Sequence, residues 1–330
     1  MKLSMKKLLI LVFFISFAVS TKAQNSPYAQ GYFGEPIFGL TVEEEQSFDR
    51  GFQLFVKRWD EADQNSHNAS SCVSCHSAPM PGGSGMSFQA LVNIKPNSAE
   101  IVQRINGHSI SGDKTEIRRT PPLFGLGLIE FAEQRKINGV LQPFFGALAK
   151  DSSLELFILK AFAMELGLYT EESCKLFTSQ TENPTYSCIA ILNKGNIQDV
   201  LSFIRFTSAP PKHQAPSNNN QISTFIKIGC GKCHTSSITT SSDAPPPLKN
   251  ITVNSFTDLK THDLGTGIKI RTTPLWGVNS FGPPYWHDAS ANSIDTAINM
   301  HKGEAKDSLD KYLSLTSKKR NMLLKFISDL

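Results

Sequence analysis

The pentapeptide pattern Cys-x-x-Cys-His occurs twice, at 72–76 in SSCVSCHSAPMPGGSG and at 230–234 in IGCGKCHTSS. Few patterns restrict a chain more. Cysteines at i and i+3 lie on one side of a helical turn, and the histidine follows at once. Paired cysteines serve three chemistries: zinc binding, dithiol redox and covalent haem attachment. Zinc would need ligands pooled from both pairs, yet each copy is complete in itself. A thioredoxin-like dithiol belongs in a βαβ context, which the chain lacks. Neither explains the adjacent histidine. The pattern is the c-type haem signature. Cys72 with Cys75, and Cys230 with Cys233, would form thioethers to two porphyrins, while His76 and His234 ligate the irons. Two covalent c-type haems are the expected cofactors.

The surroundings of the motifs repeat as well. EIRRTPPLFGLG follows the first and KIRTTPLWGVN the second. Ile117, Arg118, Thr120, Pro121, Leu123 and Gly125 pair with Ile270, Arg271, Thr273, Pro274, Leu275 and Gly277, with one extra residue in the first copy. Each copy ends in an amphipathic helix, one with Val200, Phe203 and Ile204 on a face, the other with Leu323, Phe326, Ile327 and Leu330. Upstream, Thr41 and Glu44 stand at capping-box spacing, with Phe48, Phe52, Phe55 and Trp59 along one side. Ile222, Phe225 and Ile226 face one way before the second motif. The Pro/Asn/Ser-rich stretch SAPPKHQAPSNNNQ reads as a linker. The expected fold is mainly α, with two tandem cytochrome c-like domains, each carrying one covalently attached haem. They span 24–209 and 222–330, joined by a linker at 210–221.

Lys2, Lys6 and Lys7 precede an apolar run from Leu8 to Val19, and Thr21 and Ala23 suit cleavage. Residues 1–23 read as a secretory signal peptide, the alternative being an uncleaved anchor. The expected location is therefore outside the cytoplasm, in the periplasm. Removing 1–23 takes Lys2, Lys6, Lys7 and Lys22 and no acid, so the formal charge of +4 falls to zero. No basic run then suggests nucleic acid. Of the six cysteines, only Cys174 and Cys188 fall outside the motifs. An oxidising compartment suits a disulfide between them; two free thiols are the alternative.

What stands opposite each histidine separates the copies. Ser293 is a good N-cap, and Ile294, Ala297, Ile298 and His301 then share one helical face, while Met300 points elsewhere. A histidine on an apolar face is ordinarily a core residue, but here an iron lacks a sixth ligand, so His301 is the expected axial partner of His234. Such a pair closes the iron to substrate and suits electron transfer. Aligning Ser153 with Ser293 puts Ala161 where His301 stands. Leu154, Phe157, Ile158 and Ala161 form the stripe, and Glu165 falls on it. A carboxylate in apolar surroundings can serve as a general acid or base; the plainer reading is an exposed residue at a frayed helix end. Glu130 is a second candidate. Met80, Met86 and His108 are alternative ligands for the His76 iron. Arg118 or Arg119, with Arg271, would suit haem propionates, or be ordinary surface arginines.

The pieces CVSCHSAPMPGGSG, RRTPPLFGLGLIE, AFAMELGL, CGKCH, RTTPLWGV and YWHDASANSIDTAINMHKGEA resemble the di-haem oxidoreductase family of peroxidases and, more distantly, bacterial di-haem cytochrome c peroxidases. In those relatives the N-terminal haem is open and reacts with peroxide beside a distal glutamate. The resemblance implies that role for Glu165, with Glu130 second. It also implies that His301 occupies the position of an axial ligand that is usually methionine. His287, Asp288 and Ala289 depart from the usual His-Asp-Gly. The implied partners are hydrogen peroxide and a small periplasmic electron donor, a cytochrome c or copper protein. The calcium of some relatives has no readable ligand set here. A plain di-haem electron carrier and an oxidase of another organic or protein substrate are the competing functions.

Overall fold

A computed structural model describes residues 31–60, 69–85, 91–93, 117–178, 190–211 and 219–330. The signal segment, Met86, His108, Cys188 and the side chain of Arg118 lie outside the described residues. Ten α-helices lie within them: α1 Val42–Val56, α2 Leu126–Glu130, α3 Leu154–Ala161, α4 Glu171–Thr178, α5 Lys194–Phe206, α6 Asn219–Lys227, α7 Val278–Phe281, α8 Ile294–Asn299, α9 Lys306–Leu313 and α10 Ser317–Ser328. Four antiparallel hairpins pair β1 Leu91–Asn93 with β2 Ile117–Arg119, β3 Lys136–Ile137 with β4 Val140–Leu141, β5 Ile238–Thr239 with β6 Thr252–Val253, and β7 Thr261–Asp263 with β8 Lys269–Arg271.

The capping box forms: Thr41 Oγ1 accepts from Glu44 N at 3.2 Å and Thr41 N donates to Glu44 Oε2 at 2.8 Å. The helix it starts ends at Val56, so Trp59 does not lie on its face as the periodicity suggested. The extended backbone of Lys57 turns the chain, Trp59 N donates to Ser70 O at 2.8 Å, and the indole reaches the same core from beyond the helix.

Helix α1 crosses α5 with Phe48, Phe55, Val200 and Phe203 buried between them. A Cβ added at Gly51 would stand 1.9 Å from the carbonyl oxygen of Asp199. Ser47 and Arg50 donate to the Asp199 carboxylate at 2.7 and 2.9 Å, fixing the crossing. Gly51→Ala should therefore destabilise the protein by about 1–3 kcal/mol, as overpacking does; a thermal or denaturant unfolding midpoint equal to wild type would refute this close approach.

The second motif follows a similar crossing of α6 and α10, where Phe225 and Phe326 meet with ring centres 5.5 Å apart. Leu323, Phe326, Ile327 and Leu330 are all buried, as the periodicity predicts. Ile226 was expected inside and is 60% exposed; Ile228, past the helix end, is buried instead. The linker does not divide the core. Ile238, Leu248, Val253, Leu259 and Trp276 pack into the cluster built on α1 and α5. Ser241 N donates to Phe131 O at 2.8 Å across the same boundary.

Candidate functional site

Each motif opens on a single 3-10 turn, Cys72–Ser74 and Cys230–Lys232. No disulfide joins the four motif cysteines. Burial pushes Cys72 up to about 12, and Cys75 and Cys230 up to about 11. Redox dithiols and zinc thiolates need the opposite, an electropositive setting that favours the anion. The histidines are set up for metal. His76 Nδ1 donates to Gly83 O at 3.0 Å and His234 Nδ1 to Phe256 O at 2.9 Å. A carbonyl only accepts, so the proton of His234 sits on Nδ1 and its Nε2 lone pair is left for a ligand bond; His76 bonds a second carbonyl as well, that of Pro121. Burial pulls both imidazoles down to about 4, so they are neutral at physiological pH.

The residue after each accepting carbonyl fixes a hairpin. Ser84 Oγ donates to Thr120 O at 2.6 Å, and Thr257 Oγ1 donates to Thr272 O at 2.7 Å. Gly125 and Gly277, with φ of 75° and 68°, then start the short helices α2 and α7. Thr120 thus matches Thr272 without a gap, and Arg119 is the counterpart of Arg271. This corrects the gapped alignment that paired Arg118 with Arg271. Nε and Nη1 of Arg271 and Nε of Arg119 are buried without a hydrogen-bond partner. Burial alone lowers Arg271 to about 10. A buried guanidinium without an acid is costly, and a carboxylate-bearing cofactor would relieve the cost.

The two arginines are exchanged between the repeats. Arg119 N donates to His287 O at 3.0 Å, and its guanidinium lies over the Tyr285 ring. Arg271 N donates to Ala147 O at 2.8 Å, and its guanidinium lies over Phe144.

The far sides differ. Ser293 Oγ accepts from Thr296 N at 3.0 Å and Ser153 Oγ from Leu156 N at 3.3 Å, so α8 and α3 start alike. Helix α8 ends at Asn299, earlier than the helical face required, and His301 follows its Met300 C-cap. The ring is nevertheless held one turn on, with Nδ1 donating to Ala297 O at 2.8 Å. Its Nε2 is left for a ligand bond, as in His234. The His234 and His301 ring centres are 6.5 Å apart. That separation has room for two metal–imidazole bonds of about 2.0–2.1 Å each. The residues present therefore fit an iron held between two imidazoles.

Residues 193–330 match the family model described as "Di-haem oxidoreductase, putative peroxidase". That stretch contains Cys230, Cys233, His234, Arg271 and His301; the first motif lies N-terminal to it. No match was found among curated proteins. Among solved structures, a hydrazine synthase of Kuenenia stuttgartiensis is similar over 99% of this chain and 100% of its own, with 16% identity and a TM-score of 0.51. A MauG-like protein associated with microbial copper homeostasis is 16% identical over 91% of this chain and 93% of its own, with a TM-score of 0.47. At such identity the first of these is a likeness of fold.

On the His76 side, Ala161 stands the same number of residues past its cap as His301 does. There α3 gives way to a π-helical turn, Phe162–Leu166, ended by Gly167 at φ 67°. Such turns re-aim side chains and recur at functional sites. Glu165 lies in it, half-buried, and its carbonyl accepts from Ala69 N at 3.0 Å. Its charge acts on Cys75: burial raises that thiol first, and Glu165 raises it further. The carboxylate thus flanks the first motif. Glu130 does not share this position. Both its oxygens are taken by Arg205, at 2.7 and 2.8 Å, so it is an ion-pair residue tying α2 to α5. Met80 is 48% exposed and packs against Gly34, in a loop whose Gly82 and Gly83 bond back to His76. Cys174 is disulfide-bonded.

One cluster was not anticipated. His262 bonds Asp258 Oδ2 through Nε2 and Glu304 Oε2 through Nδ1, both at 2.9 Å. It ties the loop that holds His234 to the segment after His301. Burial opposes its charge, but the bonds to Glu304 and Asp258 outweigh that and raise its pKa above 6.5. A raised histidine stabilises the fold fully below the unfolded value and ceases to as pH rises through the folded one. The unfolding midpoint of His262→Asn should therefore fall furthest behind wild type below pH 6.5, with the gap closing at higher pH; a pH-independent gap would contradict the clamp.

Proposed function

We propose that the protein is an exported di-haem c-type oxidoreductase that reduces hydrogen peroxide with electrons from a small periplasmic donor, a cytochrome c or copper protein. One observation carries the reading: the two repeats start their far-side helices alike, yet one presents His301 to His234 and the other presents Ala161, with Glu165 beside Cys75. Cys72 and Cys75 would hold one haem and Cys230 and Cys233 the other, with His76 and His234 as proximal ligands. The haem held by His234 and His301 would supply electron transfer, and the haem held by His76 would supply peroxide binding and reduction. His301 keeps water and substrate from the His234 side. Arg119 and Arg271 each offer buried donors to carboxylates, and each is seated on the opposite repeat, so two propionate-bearing edges would be drawn to the junction. Glu165 takes a proton from one peroxide oxygen and returns it to the other as the O–O bond breaks. With two electrons from the donor and two protons, both oxygens leave as water.

The reading requires one haem per motif. Intact mass spectrometry of the exported protein should show two haems, and Cys72→Ala with Cys75→Ala should remove one. Loss of both, or a wild-type chain with none, would overturn it.

A further inference from the structure

The turns that precede α3 and α8 are built alike. In one, Phe145 and Asp151 form an antiparallel bridge; in the other, Tyr285 and Ala291 do. Ala149 N donates to Gly146 O at 3.1 Å and Ala289 N to Trp286 O at 3.3 Å. Ala149 and Ala289 have φ of 50° and 61°. The carbonyls of Ala147 and His287 each accept from the exchanged arginine. In this frame Gly146 and Trp286 are equivalent, and both are left-handed, with φ of 81° and 72°. Glycine adopts that conformation freely, while a bulky side chain is strained in it. The same turn closes in the first repeat without a side chain, so the turn itself does not need the indole.

The second repeat differs where the indole points. The Trp286 ring centre lies 5.1 Å from that of His301, at 71°, an edge-to-face contact. The first repeat has glycine at the turn and Ala161 at the position equivalent to His301. Ring and histidine therefore occur together in one repeat, and at the equivalent positions of the other both are absent. Strain held at one residue and spent on a contact with a functional group is a recognised pattern.

We propose that Trp286 is a positioning residue for His301: it fixes the rotation of the imidazole about its bond to iron and blocks the space into which the ring would swing to leave. Three contacts then define His301: the Ala297 carbonyl on Nδ1, the indole edge on the ring, and the metal on Nε2. Removing the indole leaves the first and loosens the last. The proposal rests on His301 being the axial ligand of the second haem.

The test uses the haem-loaded, full-length protein with Trp286→Gly and Trp286→Phe. Glycine suits the left-handed turn, so Trp286→Gly keeps the fold, which a thermal midpoint close to wild type would verify. The readouts are the low-spin electron paramagnetic resonance signal of the oxidised protein and the acid pH at which it converts to high spin. Trp286→Gly should weaken His301 ligation roughly two- to tenfold, the range an edge-to-face aromatic contact supplies, moving the conversion to higher pH. Trp286→Phe should stay near wild type. A Trp286→Gly protein with unchanged signal and conversion pH overturns the proposal, as does a Trp286→Phe shift as large as the glycine one. His301→Ala serves as the control: if it leaves the low-spin signal intact, the ligand assignment has failed, and not the role of Trp286 alone.

Discussion

Glu165→Gln should lower peroxide turnover by about 10²–10⁴ while leaving both haems attached. The substitution keeps the shape and polarity of the side chain and removes only its capacity to carry a proton. General acid–base catalysis by one positioned group supplies on the order of 10²–10⁴ in rate, and turnover should fall by that factor. The carboxylate is placed for this by the π-helical turn at Phe162–Leu166 and by its proximity to Cys75. Glu130 provides the contrast. Its carboxylate is committed to Arg205, so Glu130→Gln should lower stability and leave the rate per folded molecule in place. Steady-state peroxide reduction with a reduced cytochrome c as donor reads both variants. Equal turnover in Glu165→Gln and wild type would remove Glu165 from the chemistry.

His301→Ala should convert one low-spin haem to high spin, because His262 is committed to Asp258 and Glu304 through both ring nitrogens. Met300, the nearest alternative in sequence, accepts a weak bond from Ser290 Oγ at 3.8 Å and is not turned toward His234. The effect is all-or-none at that iron, and an optical or paramagnetic resonance spectrum reads it directly. The donor's electrons would then meet an exchangeable site, and transfer to the His76 side should slow. An unchanged spectrum would mean that another side chain ligates the iron.

Much of this was legible because the chain repeats itself. The two Cys-x-x-Cys-His motifs pointed to haem chemistry, and aligning Ser153 with Ser293 anticipated that the two far-side helices start alike. What escaped the sequence has identifiable causes. The hairpins are two or three residues long, too short for a period of two to register. The sequence left Arg118 and Arg119 as alternatives; aligning Gly125 with Gly277 and counting back without a gap would have chosen Arg119. The π turn at Glu165 and the left-handed backbone at Trp286 violate local preference, and such violations gather where function overrides folding. His262, Asp258 and Glu304 meet only after the chain has passed His301 and returned to β7, a contact that no local pattern encodes.

The central claim is that one iron is closed and the other open. Electron paramagnetic resonance of the purified, fully oxidised, haem-loaded protein tests it most directly. Two haems per chain, one with the low-spin signal of paired imidazoles and one high-spin, is the predicted result. Two low-spin signals of equal weight, unchanged when peroxide is added after half-reduction, would contradict it and leave the protein an electron carrier.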